Sequence, residues 1–391
     1  MGRSRIAVLW VPLIAVLAGG GCHRAKTNAP RLAAPTATSR QPSATGKGAA
    51  EAVKIIEEET RRLNSHDRQY ICPKAVSLWN AREAVELAPD LASARVLLGR
   101  AQVEHAQFGE AVASYEKALL LSRGNEPAEE GVRRASHLAE VSRSLPLRYW
   151  HGQRLLSMIE VGDGATPPVF ALVGTWREEF RDINNFEAIL LVWDSGSYRV
   201  ANRLAGVARQ GDYAWALSYC VWVEDLLKLG PPQIILRTNY DGADHTSEAL
   251  DVFQPGDREL RHIVHVQGEI PGGVGPVEGG SFRVMDLDGD GRTEIQVLDI
   301  VEFLYADCSV WTDVYRYDGH RYALSTGRFP KIVRENIAEL QRWREFRRDN
   351  GLGEDIATVE HLATAYTYIG ERKEARRYAE MAKTLRSRED R

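Results

Sequence analysis

From Glu51 to about Ser144 apolar side chains recur at helical spacing, whereas from Leu147 to Gly327 the chain turns to short alternating or continuous apolar runs rich in Val, Ile, Tyr and Trp. Recurrence at every third or fourth position marks amphipathic helices. Alternation and short apolar runs bounded by Gly, Pro and Asp mark strands. Helical spacing returns over Lys331–Arg391, where a turn at Gly370-Glu371 separates two helices. The pattern therefore predicts an α+β chain, with a helical array over 51–146, a β domain over 147–330 and a second helical array over 331–391. Three segments of the β region align as central strands: Thr166–Trp176 (T-P-P-V-F-A-L-V-G-T-W), Gly230–Tyr240 (G-P-P-Q-I-I-L-R-T-N-Y) and Arg292–Ile300 (R-T-E-I-Q-V-L-D-I). A strand pair follows each of them, over Leu190–Val200, Leu250–Val266 and Val314–Leu324. The separation of about 60 residues suits three units of four strands. Asp194-Ser195-Gly196 and Asp318-Gly319 are predicted hairpin turns, because glycine takes the positive φ such turns need. Trp193, Tyr198, Tyr315, Tyr317 and Tyr322 alternate along their strands and are expected to pack inside the domain or across strands.

Ahead of the first helix the pattern is of another kind. Arg3 and Arg5 precede an apolar run from Ile6 to Ala18, and three glycines lead from it into Cys22. The run is shorter than the roughly 20 residues that cross a bilayer, so 1–22 reads as a cleaved export signal. A small-residue stretch ending in cysteine resembles the bacterial lipoprotein lipobox, although Gly19 stands where leucine is usual. The resemblance implies lipidation of Cys22 and anchoring in a cell envelope. His23, in place of the aspartate that favours inner-membrane retention, leans the expectation toward an outer membrane if the envelope is Gram-negative. Cleavage elsewhere and secretion is the alternative. Residues 23–50, rich in Ala, Pro, Thr and Ser, carry too few large aliphatic side chains to repay ordering and are expected to be a disordered tether.

Composition narrows the partners. A formal net charge of −4 gives no basic footprint for nucleic acid. The remaining cysteines, Cys72, Cys220 and Cys308, form no C-x-x-C pair, so zinc ribbons and thioredoxin-like chemistry are unsupported. One disulfide is open to an exported chain, with Cys220–Cys308 the first candidate because both lie in the β region and buried thiols the alternative.

Within Ala92–Leu121, Leu98, Gly99, Ala111, Tyr115 and Ala118 fall at offsets that resemble the tetratricopeptide repeat. Small residues at Gly99 and Ala111 would let two antiparallel helices approach, with Leu98, Tyr115 and Leu119 filling the groove between them. Ala81, Ala84 and Pro89 match the end of an earlier repeat, and Pro89 would stop its helix. Gln102 and Arg95 depart from the pattern. In the C-terminal array Leu362, Tyr366, Gly370, Ala375, Ala379 and Ala382 keep similar spacing. The resemblance implies a concave groove that receives a peptide or a protein partner.

The most specific motif is Asp286–Glu294, D-L-D-G-D-G-R-T-E. Asp286, Asp288, Asp290, the Arg292 carbonyl and Glu294 supply oxygens at spacing suited to one hard cation, and Gly291 permits the sharp turn. Calcium is the expected guest, structural and at one site; an empty loop closed by hydrogen bonds and Arg292 is the alternative. An EF-hand would place glutamate where Val297 stands, and strand-like rather than helical segments flank the loop. A loop of this kind between strands resembles the FG-GAP or VCBS repeat of integrin-type β-propellers. That resemblance implies a propeller-like β domain and a binding role. The places taken as equivalent in the earlier units, Asp182-Ile183-Asn184 and Asn239-Tyr240-Asp241, lack the full ligand set.

Signals for chemistry are sparse. The sequence has no G-x-S-x-G and no H-E-x-x-H, and Gly272–Gly280 lacks the strand-to-helix setting of a phosphate loop, reading instead as a mobile loop. His262 and His265, three apart in a strand, are expected on opposite faces. The first expectation is a non-catalytic envelope lipoprotein that docks proteins. The alternative is a carbohydrate-active or other hydrolytic β-propeller, using a pair among Glu178, Glu179, Asp182, Asp225 and Asp244.

Overall fold

The structure, a computed structural model, describes residues 47–64, 77–147, 153–162, 164–177, 182–207, 215–228, 230–241, 245–271, 281–304 and 307–389. The expected export segment with Cys22, the expected tether through residue 46, Cys72, Glu178, Glu179, Asp244 and Gly272–Gly280 lie outside the described residues.

Among the described residues five helices come first: α1 (Lys47–Asn64), α2 (Leu78–Leu87), α3 (Ala92–Glu104), α4 (Phe108–Leu121) and α5 (Glu126–Ser142). The end of the expected tether, from Lys47, is thus already helical. Ser77 caps α2 by accepting the Asn80 N–H at 3.2 Å, and α2 stops ahead of Pro89 as its sequence requires. Asn125 caps α5 in the same way, accepting the Ala128 N–H at 3.1 Å. Each helix packs on the next. Gln102, one of the two departures from the repeat pattern, is buried and accepts a 2.7 Å hydrogen bond from Ser114 of α4. That bond satisfies a polar side chain where the repeat usually has an aromatic one.

Among the described residues twelve strands follow, and they form three antiparallel meanders. The first comprises β1 (Gln153–Glu160), β2 (Val169–Arg177), β3 (Asp182–Asp194) and β4 (Ser197–Val207). The second comprises β5 (Trp215–Glu224), β6 (Gln233–Asp241), β7 (His245–Pro255) and β8 (Leu260–Pro271). The third comprises β9 (Phe282–Met285), β10 (Glu294–Leu304), β11 (Asp307–Tyr317) and β12 (Tyr322–Leu324). One residue pair, Ile183 with Ala216, joins the first meander to the second. The three segments aligned in the sequence are β2, β6 and β10, the second strand of each meander. The turns at Ser195-Gly196 and Gly319 take the expected positive φ, 51°, 93° and 110°.

Three helices close the chain: α6 (Pro330–Asp349), α7 (Ile356–Tyr368) and α8 (Arg372–Glu389), entered through a 3-10 turn at Thr326–Arg328. Asn336 of α6, itself buried, treats β11 as a neighbouring strand would: its side chain accepts the Thr312 N–H at 3.0 Å and donates to the Thr312 carbonyl at 2.9 Å.

The apolar clusters show how these pieces stack. One cluster runs from α3, α4 and α5 onto Met158, Val169, Ala171, Ile189 and Leu191 of the first meander. Phe170, Leu172 and Leu190, on its other face, meet Ile234, Leu236, Ala249 and Phe253 of the second. The opposite face of the second, with Ile235, Leu250 and Val252, meets Phe282, Ile295 and Val297 of the third. Trp311 of the third then packs on Val333, Leu340 and Leu362 of the C-terminal helices. Each meander is therefore covered on both faces. This explains the continuous apolar runs Val169–Val173 of β2, Ala188–Val192 of β3 and Ile234–Leu236 of β6, in which every position is buried.

The aromatic positions divide. Tyr198, Tyr317 and Tyr322 are buried, and Trp193, 44% exposed beside its turn, meets its cross-strand partner Tyr198 edge-on, both as expected. Cys220 is buried in β5 and Cys308 half-buried in β11, on different sheets, and no disulfide joins the two, contrary to the first candidate pairing.

Candidate functional site

The β9–β10 loop is built by its own carboxylates. Asp286 accepts the Gly289 N–H at 2.7 Å on one oxygen and the Gly291 N–H at 3.0 Å on the other. Gly289 and Gly291 sit at φ 77° and 84°, backbone that side chains with a Cβ resist. Asp288 accepts the Asp290 N–H at 3.2 Å, and Asp290 accepts the Arg292 N–H at 2.8 Å. Glu294 reaches back from β10 and accepts the Leu287 N–H at 2.8 Å.

Asp286, Asp288 and Glu294 each bring one oxygen into a group whose members lie within 4.8 Å of one another. Of the five positions singled out in the sequence, these three converge. Asp290 instead turns one oxygen to Arg316 at 2.6 Å, and Arg292 contributes its backbone N–H to Asp290. Glu294 is fully buried, and its Oε1 has no hydrogen-bond partner. That oxygen has only a long ion pair, with Arg316 Nε at 3.6 Å, and three carboxylates share the loop, so the donor set fits a hard divalent ion. Burial pushes the Glu294 carboxyl above its usual range, and the Asp288 and Asp290 charges add to this. The backbone hydrogen bond from Arg292 holds Asp290 below it.

Arg316 of β11 was not legible as part of this site. Its guanidinium stands 3.3 Å from Asp288 and 3.6 Å from Glu294 Oε1, so it is a fixed positive charge beside the same carboxylates. The usable signal was the hairpin register, which returns β11 alongside the start of β10, pairing Tyr315 with Ile295.

The loops that correspond to this one in the other meanders join β1 to β2 and β5 to β6. The places expected to be equivalent, at 182–184 and 239–241, are strand residues of β3 and β6. Asp225 in the β5–β6 connection is exposed and accepts the Lys228 N–H at 2.9 Å, closing a turn.

A second group gathers Asp251, His262 and His265 within the same 4.8 Å limit. The expectation that the two histidines face opposite sides is overturned. Register runs Asp251 with His265, Val252 with Val264 and then Phe253 with His262, so Ile263 is an extra residue and a β-bulge. The bulge shifts His262 by one place and turns it onto the face of His265. Asp251 is fully buried; one of its oxygens lies 2.7 Å from His262 Nε2 and 2.9 Å from His265 Nδ1. Burial alone would raise the Asp251 carboxyl, but hydrogen bonds from both rings hold it below its ordinary value. The bond to Asp251 raises His265 in turn.

Comparison with protein-family models, with curated proteins and with solved structures finds no match for this chain.

Proposed function

We propose that this chain is a non-catalytic, lipid-anchored scaffold of a bacterial cell envelope, stiffened by one structural calcium ion and docking proteins on its helical surfaces. The convergence of Asp286, Asp288 and the buried Glu294 Oε1, which accepts no hydrogen bond, at the β9–β10 loop carries the reading. Such a loop between strands is what the FG-GAP or VCBS resemblance implies, and the three stacked meanders suit a propeller-like arc. In that reading Asp286, Asp288 and Glu294 hold the ion, the Arg292 carbonyl and Asp290 complete its surroundings, and Arg316 balances the excess negative charge. Calcium takes six to eight oxygens at about 2.3–2.6 Å, which carboxylates, a carbonyl and water supply.

The tetratricopeptide-like reading of the helices needs one adjustment. An apolar face of α3–α5 is covered by the first meander, so docking falls to the surfaces that remain. Candidates are the shallow concavity between α7 and α8, lined by Thr364, Tyr368, Ala375 and Arg376, and the exposed Trp79 and Leu120 of α2 and α4. Anchoring rests on Cys22 and the tether that follows it.

The test is thermal unfolding of wild type and of Asp286→Ala and Asp288→Ala, each in calcium and in chelator. Calcium is expected to raise the wild-type melting temperature, and by mass action about 2.7 kcal/mol of stabilisation follows at a hundredfold excess over Kd. The variants should melt alike in both conditions. A wild type indifferent to calcium, or variants that keep its full response, would remove the ion from the account.

A further inference from the structure

We propose that Asp251, His262 and His265 form a second cation site, one for a divalent transition-metal ion of the zinc type, distinct in place and chemistry from the oxygen-only loop. One carboxylate oxygen and two imidazole nitrogens converge, with Asp251 Oδ1 at 2.7 Å from His262 Nε2 and 2.9 Å from His265 Nδ1. Ligands of a tetrahedral zinc ion, bonded at about 2.0–2.1 Å, stand roughly 3.3 Å apart. The two oxygen–nitrogen pairs thus need to open by only about 0.4–0.6 Å to admit the ion.

The surroundings favour a built site over a chance cluster. Asp251 is fully buried, whereas the two histidine side chains are about a third exposed, at 32% and 33%. The anionic ligand is therefore fixed in the sheet, and the ion has a way in from the histidine side. The ring of His262 is stacked on Phe253 at 4.9 Å and 23°, and Phe253 in turn meets Phe170 at 5.7 Å, so the ring is oriented by packing. His265 turns its Nδ1 to Asp251, and its Nε2 lies 3.4 Å from the side-chain amide of Gln267. With the ion on Nδ1 the proton resides on Nε2. The Gln267 amide, rotated to present its oxygen, would accept that proton and hold the metal-binding tautomer.

Donor chemistry separates the two sites. Carboxylates alone suit calcium or magnesium, whereas two imidazoles with one carboxylate suit zinc and its neighbours and leave at least one coordination position to water. The bulge at Ile263 is what creates the ligand set, since a regular ladder would place His262 on the other face.

The experiment is titration of the metal-stripped full chain with zinc by calorimetry, and with cobalt as an optical probe. One zinc ion is expected to bind per chain in wild type and in Asp286→Ala/Asp288→Ala. His262→Asn and His265→Gln should each weaken it at least about tenfold, and together abolish it along with the visible absorption of the cobalt form. Because a variant at a buried cluster can misfold, wild type supplies a second measurement. Zinc should shield His262 and His265, among all the histidines, from carbethoxylation read by mass spectrometry. Binding that survives loss of both histidines, or no shielding of the pair at saturating zinc, would overturn the proposal.

Discussion

Tyr115 of α4 is held between glycines of the two flanking helices. A Cβ built on Gly99 would lie 2.9 Å from its ring, and one on Gly131 only 2.4 Å away. Burial pushes its hydroxyl pKa up to about 12. Glycine inside a helix normally forfeits about 1 kcal/mol against alanine. At Gly131 that gain is outweighed, because a rigid ring rather than a flexible chain end blocks the methyl, and overpacking costs about 1–3 kcal/mol. Gly131→Ala is therefore expected to lower stability in urea unfolding, and by more than Gly99→Ala. The reverse order would mean that Tyr115 swings away without penalty. Gly99 and Tyr115 were legible from repeat-like spacing; Gly131 was not, because it lies in α5, beyond the stretch whose offsets carry that spacing. The histidine pair failed for a different reason. A strand's two-residue period places His262 and His265 apart, and one extra residue, Ile263, cancels it. The adjacent apolar residues Ile263 and Val264 between the histidines were the visible trace of that bulge.

At the scale of elements, the edge of β11 shows how a helix and a sheet are joined without a further strand. β12 pairs only with Tyr315–Tyr317. Upstream, the Val314 N–H goes to the Thr326 hydroxyl at 3.0 Å, and the Thr312 N–H and carbonyl go to Asn336. Asn336→Ala strands both Thr312 groups at a half-buried interface and should cost about 1–3 kcal/mol. Native-state hydrogen exchange would localise the effect: the Thr312 amide should lose protection while Val314 keeps it. Uniform loss at both would point to global unfolding instead. Strand order and hairpins were readable here, since aligned apolar runs and Gly turns carry them. The side-chain bridge was not, because nothing local in P-K-I-V-R-E-N marks Asn336 as a strand mimic.

For the whole molecule, the order of layers follows the order of the chain: helices, three meanders, helices. The sequence separated helical from strand territory because hydrophobic period differs between them. It did not reveal the stacking, which depends on which face of each meander meets which neighbour. The terminal helices cover apolar sheet faces that would otherwise meet water, notably around Trp311, 4% exposed and packed on His361 at a ring distance of 5.1 Å. A chain ending at residue 329 is expected to self-associate through that face, detectable by size exclusion with light scattering. A monomeric, fully stable truncate would show that the third meander needs no cover.

Because, among the described residues, the apolar cores join each layer to the one before and the one after, cohesion is passed along in series. Loss of either outer layer bares a fresh greasy surface, so opening is expected to start at the ends and travel inward, with the central meander the last to let go.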